Sequence, residues 1–181
     1  GGSMLTRLRR TALPVALVVL SLVAAPAATA VPVTVNLRVE GIADTIFDGQ
    51  VITDAHRTTT PSDGVARPCD GTNNGGAPTP TAIGALDDGS KAGGFVWDAN
   101  WDDGFGDYYP FKQIGSETID SSSHYLAFYL NWVYADLGGC SQSVEQGDDV
   151  LFAHSDFSQS KVLRLSGPPT ATTGQSVTVH V

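Results

Sequence analysis

Basic residues are scarce in this chain. Lys and Arg number 10 against 19 Asp and Glu, and Arg7, Arg9 and Arg10 precede every acidic residue. From Val31 onward seven basic residues face 19 acidic ones, a net charge of −12. A surface so short of cations cannot neutralise phosphates, which argues against nucleic acid as a partner and equally disfavours anionic lipid. The balance suits solubility outside a cell. Cysteine is also scarce, with only Cys69 and Cys140 present. Two cysteines cannot complete a structural zinc site without His partners, and His56, His124, His154 and His180 stand isolated with no pair at ligand spacing, so no metal is expected. In an exported chain the pair reads as a single disulfide, closing a loop of about 70 residues and contributing roughly 4 kcal/mol on the chain-entropy account.

Catalytic constellations are missing as well. No Gly-x-Ser-x-Gly elbow occurs, and in His154-Ser155-Asp156 neighbouring residues of a strand would face opposite ways, which is no triad. Asp87-Asp88 and Asp148-Asp149 could be offered as paired carboxylates, but capping and solvation at helix or turn positions account for them. The acidic run Asp98, Asn100, Asp102, Asp103, Asp107 fails as an EF-hand, because from Asp98 the sixth position is not glycine and the twelfth is Tyr109. The expectation is a protein without enzymatic activity or cofactor, and with a solvated turn at 98–107, ranked ahead of a looser calcium site there.

Gly1-Gly2-Ser3 before Met4 reads as a cloning remnant. A basic start, an apolar run from Ala12 to Ala25 and Ala28-Thr29-Ala30 then describe a secretory signal peptide over 4–30, the apolar run being too short for a membrane span. Export by the general secretory route is expected, with no membrane insertion after cleavage.

Within the mature chain Val33, Val35, Leu37 and Val39 alternate with polar residues as a half-buried strand, and Thr45 to Thr53 reads as its hairpin partner with a turn or bulge at Asp48-Gly49. His56 to Pro80 is a long polar loop with Cys69 inside it, which suggests that it is tied down. Thr79-Pro80 offers the start of a short helix running to Lys91, stopped by Gly93-Gly94. Phe95 to Trp97 and Tyr108 to Ile114 read as strands, the latter interrupted by Pro110. Tyr125 to Tyr134 is apolar on both faces and reads as one long central strand; Val150 to His154 returns beside it. Lys161 to Leu165 makes a further strand, and Val177 to Val181 a last alternating one. The fold class expected is α+β, mostly β, with hairpin, short helix and further strands in β-grasp order over 31–166. Residues 167–181 would be a linker and either an edge strand or the first strand of a β-sandwich (Ig-like) domain.

The stretches VNLRVEG at 35–41, TIFDGQVITD at 45–54, CDGTNNG at 69–75, TPTAIGALDD at 79–88, YLNWVY at 129–134 and QGDDVLFAHSDF at 146–157 resemble a bacterial secreted domain family of unknown function. That family is similar to the C-terminal β-grasp lobe of transcobalamin and intrinsic factor, and the resemblance spans roughly 33–166. It implies a β-grasp fold, an actinobacterial-type exported protein and Ig-like companions, and no activity. In the vitamin carriers a separate helical barrel supplies most of the cobalamin site, which ranks a corrinoid behind a glycan as a ligand here.

Aromatics cluster around the acidic turn. Trp97, Trp101, Tyr108 and Tyr109, with Asn73 and Asn74 from the tied-down loop, are the candidate ligand-binding residues, since exposed rings beside polar groups can stack on sugars or a flat cofactor. Trp132 and Phe128 are expected in the core, and Trp101, Tyr108 and Tyr109 in the open. Two functions compete: a secreted or cell-surface module acting in adhesion, display or protein binding, and a small-ligand binder. An extracellular protein or a glycan is the expected partner. The second function requires Trp97, Trp101 and Tyr108 to line a concavity; the first allows them to be packed away.

Overall fold

A computed structural model describes residues 30–157, 162, 165–168 and 170–180, apart from the side chain of Asn74. The expected signal peptide, except Ala30, lies outside the described residues, as does most of the expected strand from Lys161 to Leu165. The chain is mostly β, with a single α-helix among the described residues.

Strict alternation makes β1 (Val33–Glu40): Val35, Leu37 and Val39 are fully buried while Asn36 and Arg38 face water. β2 (Thr45–Thr53) pairs antiparallel with it over its whole length, with a bulge at Val39/Glu40. The break expected at Asp48-Gly49 does not occur. Both residues stay in the ladder, opposite Arg38 and Leu37, and the chain reverses earlier, where Gly41 N–H bonds Asp44 C=O at 2.9 Å.

α1 (Ala82–Gly93) lies on this sheet. Its cap is Thr81, two residues later than expected: Thr81 Oγ1 accepts from Gly84 N–H at 3.1 Å and donates to Cys69 C=O at 2.6 Å. Ala82 and Ile83 N–H find Gln142 and Gly139 C=O at 3.0 and 3.1 Å, so these first-turn donors have partners in the 139–142 loop. Gly89 permits the close approach of helix to sheet, because a Cβ there would stand 2.2 Å from Leu37 Cδ2. Gly94, in the left-handed region at φ 69°, ends the helix.

A second sheet follows, in the order β3-β4-β5, from β3 (Trp97–Asp102), β4 (Asp107–Ile114) and β5 (Glu117–Thr118). The expected turn over 98–107 is therefore confined to 103–106, and a cis Tyr109–Pro110 peptide falls within β4.

The expected long strand from Tyr125 to Tyr134 is two strands. β6 (His124–Leu130) ends where Asn131 (φ 50°) and Trp132 (φ 68°) reverse the chain into β7 (Val133–Tyr134). Two consecutive residues in the left-handed region make the tight reversal that matches strand twist. Asn131 holds it by exchanging bonds with Asp148 and Asp149, and Trp132 Nε1 donates to Asp149 Oδ2 at 2.9 Å. Trp132 is consequently half-buried at the turn rather than in the core, and Phe128, also half-buried, packs against the core through Phe152 at 5.0 Å. β8 (Asp149–Asp156) takes the middle place in the five-stranded order β2-β1-β8-β6-β7, parallel to β1 and antiparallel to β6.

Cys69 and Cys140 are bonded, both fully buried, and join the 54–81 loop to the 135–148 loop beneath the start of α1. Of the described residues in the C-terminal stretch, His180 pairs with Ser166 in an isolated bridge, and no strand is formed over 175–179.

Candidate functional site

The open edge of the five-stranded sheet and the second sheet enclose a groove of about 930 Å³. Tyr109, Pro110 and Phe111 of β4 and Phe105 of the preceding turn form one wall; Leu126 and Phe128 of β6 form another; Ala135 to Gly139 closes the third side. Its apolar side chains are unusually open: Phe105 is 76% exposed, Tyr109 57%, Leu137 55% and Phe157 68%. Soluble proteins expose contiguous apolar surface of this kind mainly where something binds. Polar groups enter at Asp107, Ser121, His124, Asp136 and Ser141, and among the described residues no Lys or Arg lines the groove.

β4 and its turn divide the aromatic cluster. Trp97 and Tyr108 are buried, 5.2 Å apart and edge to face. Tyr108 OH donates to Thr58 C=O at 2.9 Å, and Trp97 Nε1 to Asp87 Oδ1 at 3.3 Å. Tyr108 is thus not open as the sequence suggested. Only part of it reaches the groove lining, and Trp97 does not reach it. Trp101 is half-buried: its ring meets Tyr108 edge to face at 5.2 Å, the Arg67 guanidinium lies 5.2 Å from its centroid, and its Nε1 donates to Asp103 at 2.9 Å. Tyr109 points the opposite way and meets Phe105 edge to face at 6.4 Å. Asn73 fastens the loop, donating to Gly106 C=O and Ser141 Oγ. Asn74 belongs to the same 3-10 turn. Of the six residues singled out from sequence, the structure places Tyr108 and Tyr109 at the groove.

The acidic residues nearby serve the main chain. Asp98 accepts from Ser62 N–H and Oγ, and Asp102 Oδ1 accepts from Gly104 and Phe105 N–H, closing the turn. Asp107 accepts from Cys140 N–H at 2.9 Å and Tyr108 N–H at 2.7 Å. Burial dominates over these bonds and pushes its carboxyl up to about 6. Gly138 is required beside it, since a Cβ there would lie 2.1 Å from Asp107 Oδ2.

Two further polar clusters lie outside the groove. His56, Asp87 and Asp88 could each offer a ligand atom within 4.8 Å of the others. Lys91 Nζ already sits 2.6 Å from Asp87 Oδ2 and His56 Nε2 3.3 Å from it, so cationic side chains occupy that carboxylate. The hydrogen bond to Asp87, assisted by the Asp88 charge and opposed by burial, raises His56 to about 9. In the other cluster His154 Nδ1 bonds Glu117 Oε2 at 2.6 Å, and Glu117 also accepts from Ile42 N–H at 3.0 Å, clasping β5 to the first sheet. Burial opposes ionisation of Glu117, but these bonds outweigh it and hold its carboxyl below the ordinary value.

The sequence pointed to one wall of the groove only. Leu137, Asp136 and Phe157 were missed; the usable signal was a lone leucine in the polar stretch Ala135-Asp136-Leu137-Gly138-Gly139. No known family matches the chain, and no curated protein is similar to it.

Proposed function

We propose that the chain is a secreted or cell-surface module of β-grasp type, without catalytic activity, that binds a partner in the groove between β4 and β6. The observation that carries this is the groove itself, with its wide-open Phe105, Tyr109, Leu137 and Phe157. The β-grasp reading rests on the hairpin β1-β2, the helix across it, and β8 inserted parallel to β1. It agrees with the resemblance to the secreted transcobalamin-like domains. Export is supported by the disulfide together with the basic, apolar and small-residue order of residues 4–30. Protein binding is favoured over a small ligand because Trp97 and Tyr108, which a stacking site at the acidic turn would use, are packed inside. A glycan is the second reading, since the open Tyr109 ring stands in a groove with Ser121, Asp136 and Ser141 in its lining.

The test compares the full chain with a Tyr109→Ser/Leu137→Ser double variant, both exposed positions, against immobilised random peptides, an oligosaccharide panel and cyanocobalamin. Binding by any class that the double variant loses supports the site. Binding that the double variant retains, or none by any class, refutes it.

A further inference from the structure

One side of the groove is an unpaired sheet edge. β6 pairs with β8 from His124↔Asp156 to Leu130↔Val150, whereas β7 covers only Tyr129 and Leu130. In an antiparallel ladder alternate residues turn both N–H and C=O toward the same neighbour. Ala135 N–H reaches Phe128 C=O at 3.1 Å, so Phe128, Leu126 and His124 turn their backbone groups away from β8. Asp120 C=O takes the His124 N–H at 2.8 Å. Among the described residues nothing pairs with Leu126 N–H or C=O, or with Phe128 N–H. These groups turn to the side of Ala135, and Leu126, itself 8% exposed, lines the groove.

Resting on the groove as the binding site, we propose that its occupant is an extended, cationic polypeptide segment that adds to the sheet as a strand along β6 at Leu126. Backbone donors and acceptors on an open edge call for a partner that repeats the same groups, which a peptide does every second residue, about 6.8 Å apart. The open side chains of Tyr109, Leu137 and Phe157 receive its alternate apolar residues. Charge sets its sign: the exposed Asp136 lines the groove with the buried Asp107 beneath, and among the described residues no Lys or Arg lines it. A second copy of this chain is disfavoured as the occupant, since each copy carries a net −12 from Val31 onward.

The experiment is selection of displayed random twelve-residue linear peptides on the oxidised full chain, with counter-selection on the Tyr109→Ser/Leu137→Ser variant. The selected peptide is then synthesised in two forms, N-methylated at alternate residues on one edge or on the other. The proposal expects Lys- or Arg-bearing peptides with alternating apolar residues. One N-methylated form should bind about tenfold or more weaker and the other near the parent, because only one edge meets β6. Leu126 and Phe128 amides should slow in hydrogen exchange when the parent peptide is added. Equal binding by both forms, unchanged exchange at Leu126, or failure to select any groove-dependent peptide overturns it. Groove-dependent binding of an oligosaccharide in place of peptides also overturns it while leaving the proposed site intact. Protection at Leu126 that grows with protein concentration and no peptide would assign the edge to a second copy and likewise overturn it.

Discussion

His56 links β2 to α1, and its environment predicts how stability changes with pH. Its Nε2 lies 3.3 Å from Asp87 Oδ2, its Nδ1 3.1 Å from Asp54 and 3.8 Å from Asp88. The hydrogen bond to Asp87, with the Asp88 charge and the Asp54 carbonyl and against the effect of burial, raises it from 6.5 to about 9. Because the folded value exceeds the unfolded one, the contribution is fully present below pH 6.5 and is lost as pH rises through 9. At 1.36 kcal/mol per pH unit the shift corresponds to about 3 kcal/mol, an upper figure because the side chain keeps 21% exposure. His56→Gln removes the titrating group and leaves Lys91 on Asp87. Urea unfolding of both proteins at intervals from pH 6 to 10 should show the wild type losing about 2–3 kcal/mol more than the variant over this range. Parallel curves for the two proteins would refute the assignment of this charge network to His56.

Three other perturbations test the fold that positions the groove. Cys69→Ser/Cys140→Ser opens a loop closed over 71 residues and should cost roughly 4 kcal/mol by denaturant unfolding; a loss under about 1 kcal/mol would contradict the tie. Gly89→Ala gains up to about 1 kcal/mol in helix propensity but drives a methyl against the buried Leu37, so a net destabilisation of about 1–2 kcal/mol is expected in thermal unfolding. Glu117→Gln removes the charge that His154 and the Ile42 N–H stabilise and should cost about 1–3 kcal/mol near neutral pH. The depressed value of Glu117 means that its contribution is present above about pH 4.5 and is lost as pH falls further, so the variant and wild type should converge in acid.

β1 was legible because one face is buried and the other wet, so Val35, Leu37 and Val39 announce themselves. α1 was legible from Ala82, Ile83, Ala85 and Leu86, though its cap was misplaced: Thr81 is chosen over Thr79 by the Cys69 carbonyl, a contact across the disulfide loop. The break after Leu130 was hidden, since aromatic and apolar residues continue through it and neither Asn131 nor Trp132 is a glycine. Reading through that turn carried the face assignment beyond Leu130 and put Trp132 in the core. In β3 and β4 the ladder shifts register at Asp98/Ala99 and Ala99/Trp101, irregularities that no local spacing encodes, and Trp97 is buried while Trp101 is half-buried. The groove was only half visible for the same reason. Its walls come from Phe105–Phe111, His124–Phe128 and Tyr134–Ser141, which meet only once β8 has brought β6 into the sheet.

The central claim is that the β4–β6 groove is where this protein binds. The most direct measurement is amide chemical-shift mapping of the isotope-labelled, oxidised chain against a library of small aromatic and cationic fragments, which locates a binding surface whatever the natural ligand is. The account predicts shifts concentrated at Phe105, Tyr109, Leu126, Phe128 and Leu137, and their loss in the Tyr109→Ser/Leu137→Ser variant. Shifts clustered instead around the exposed Ile52 and Val133, or scattered without preference, would contradict it.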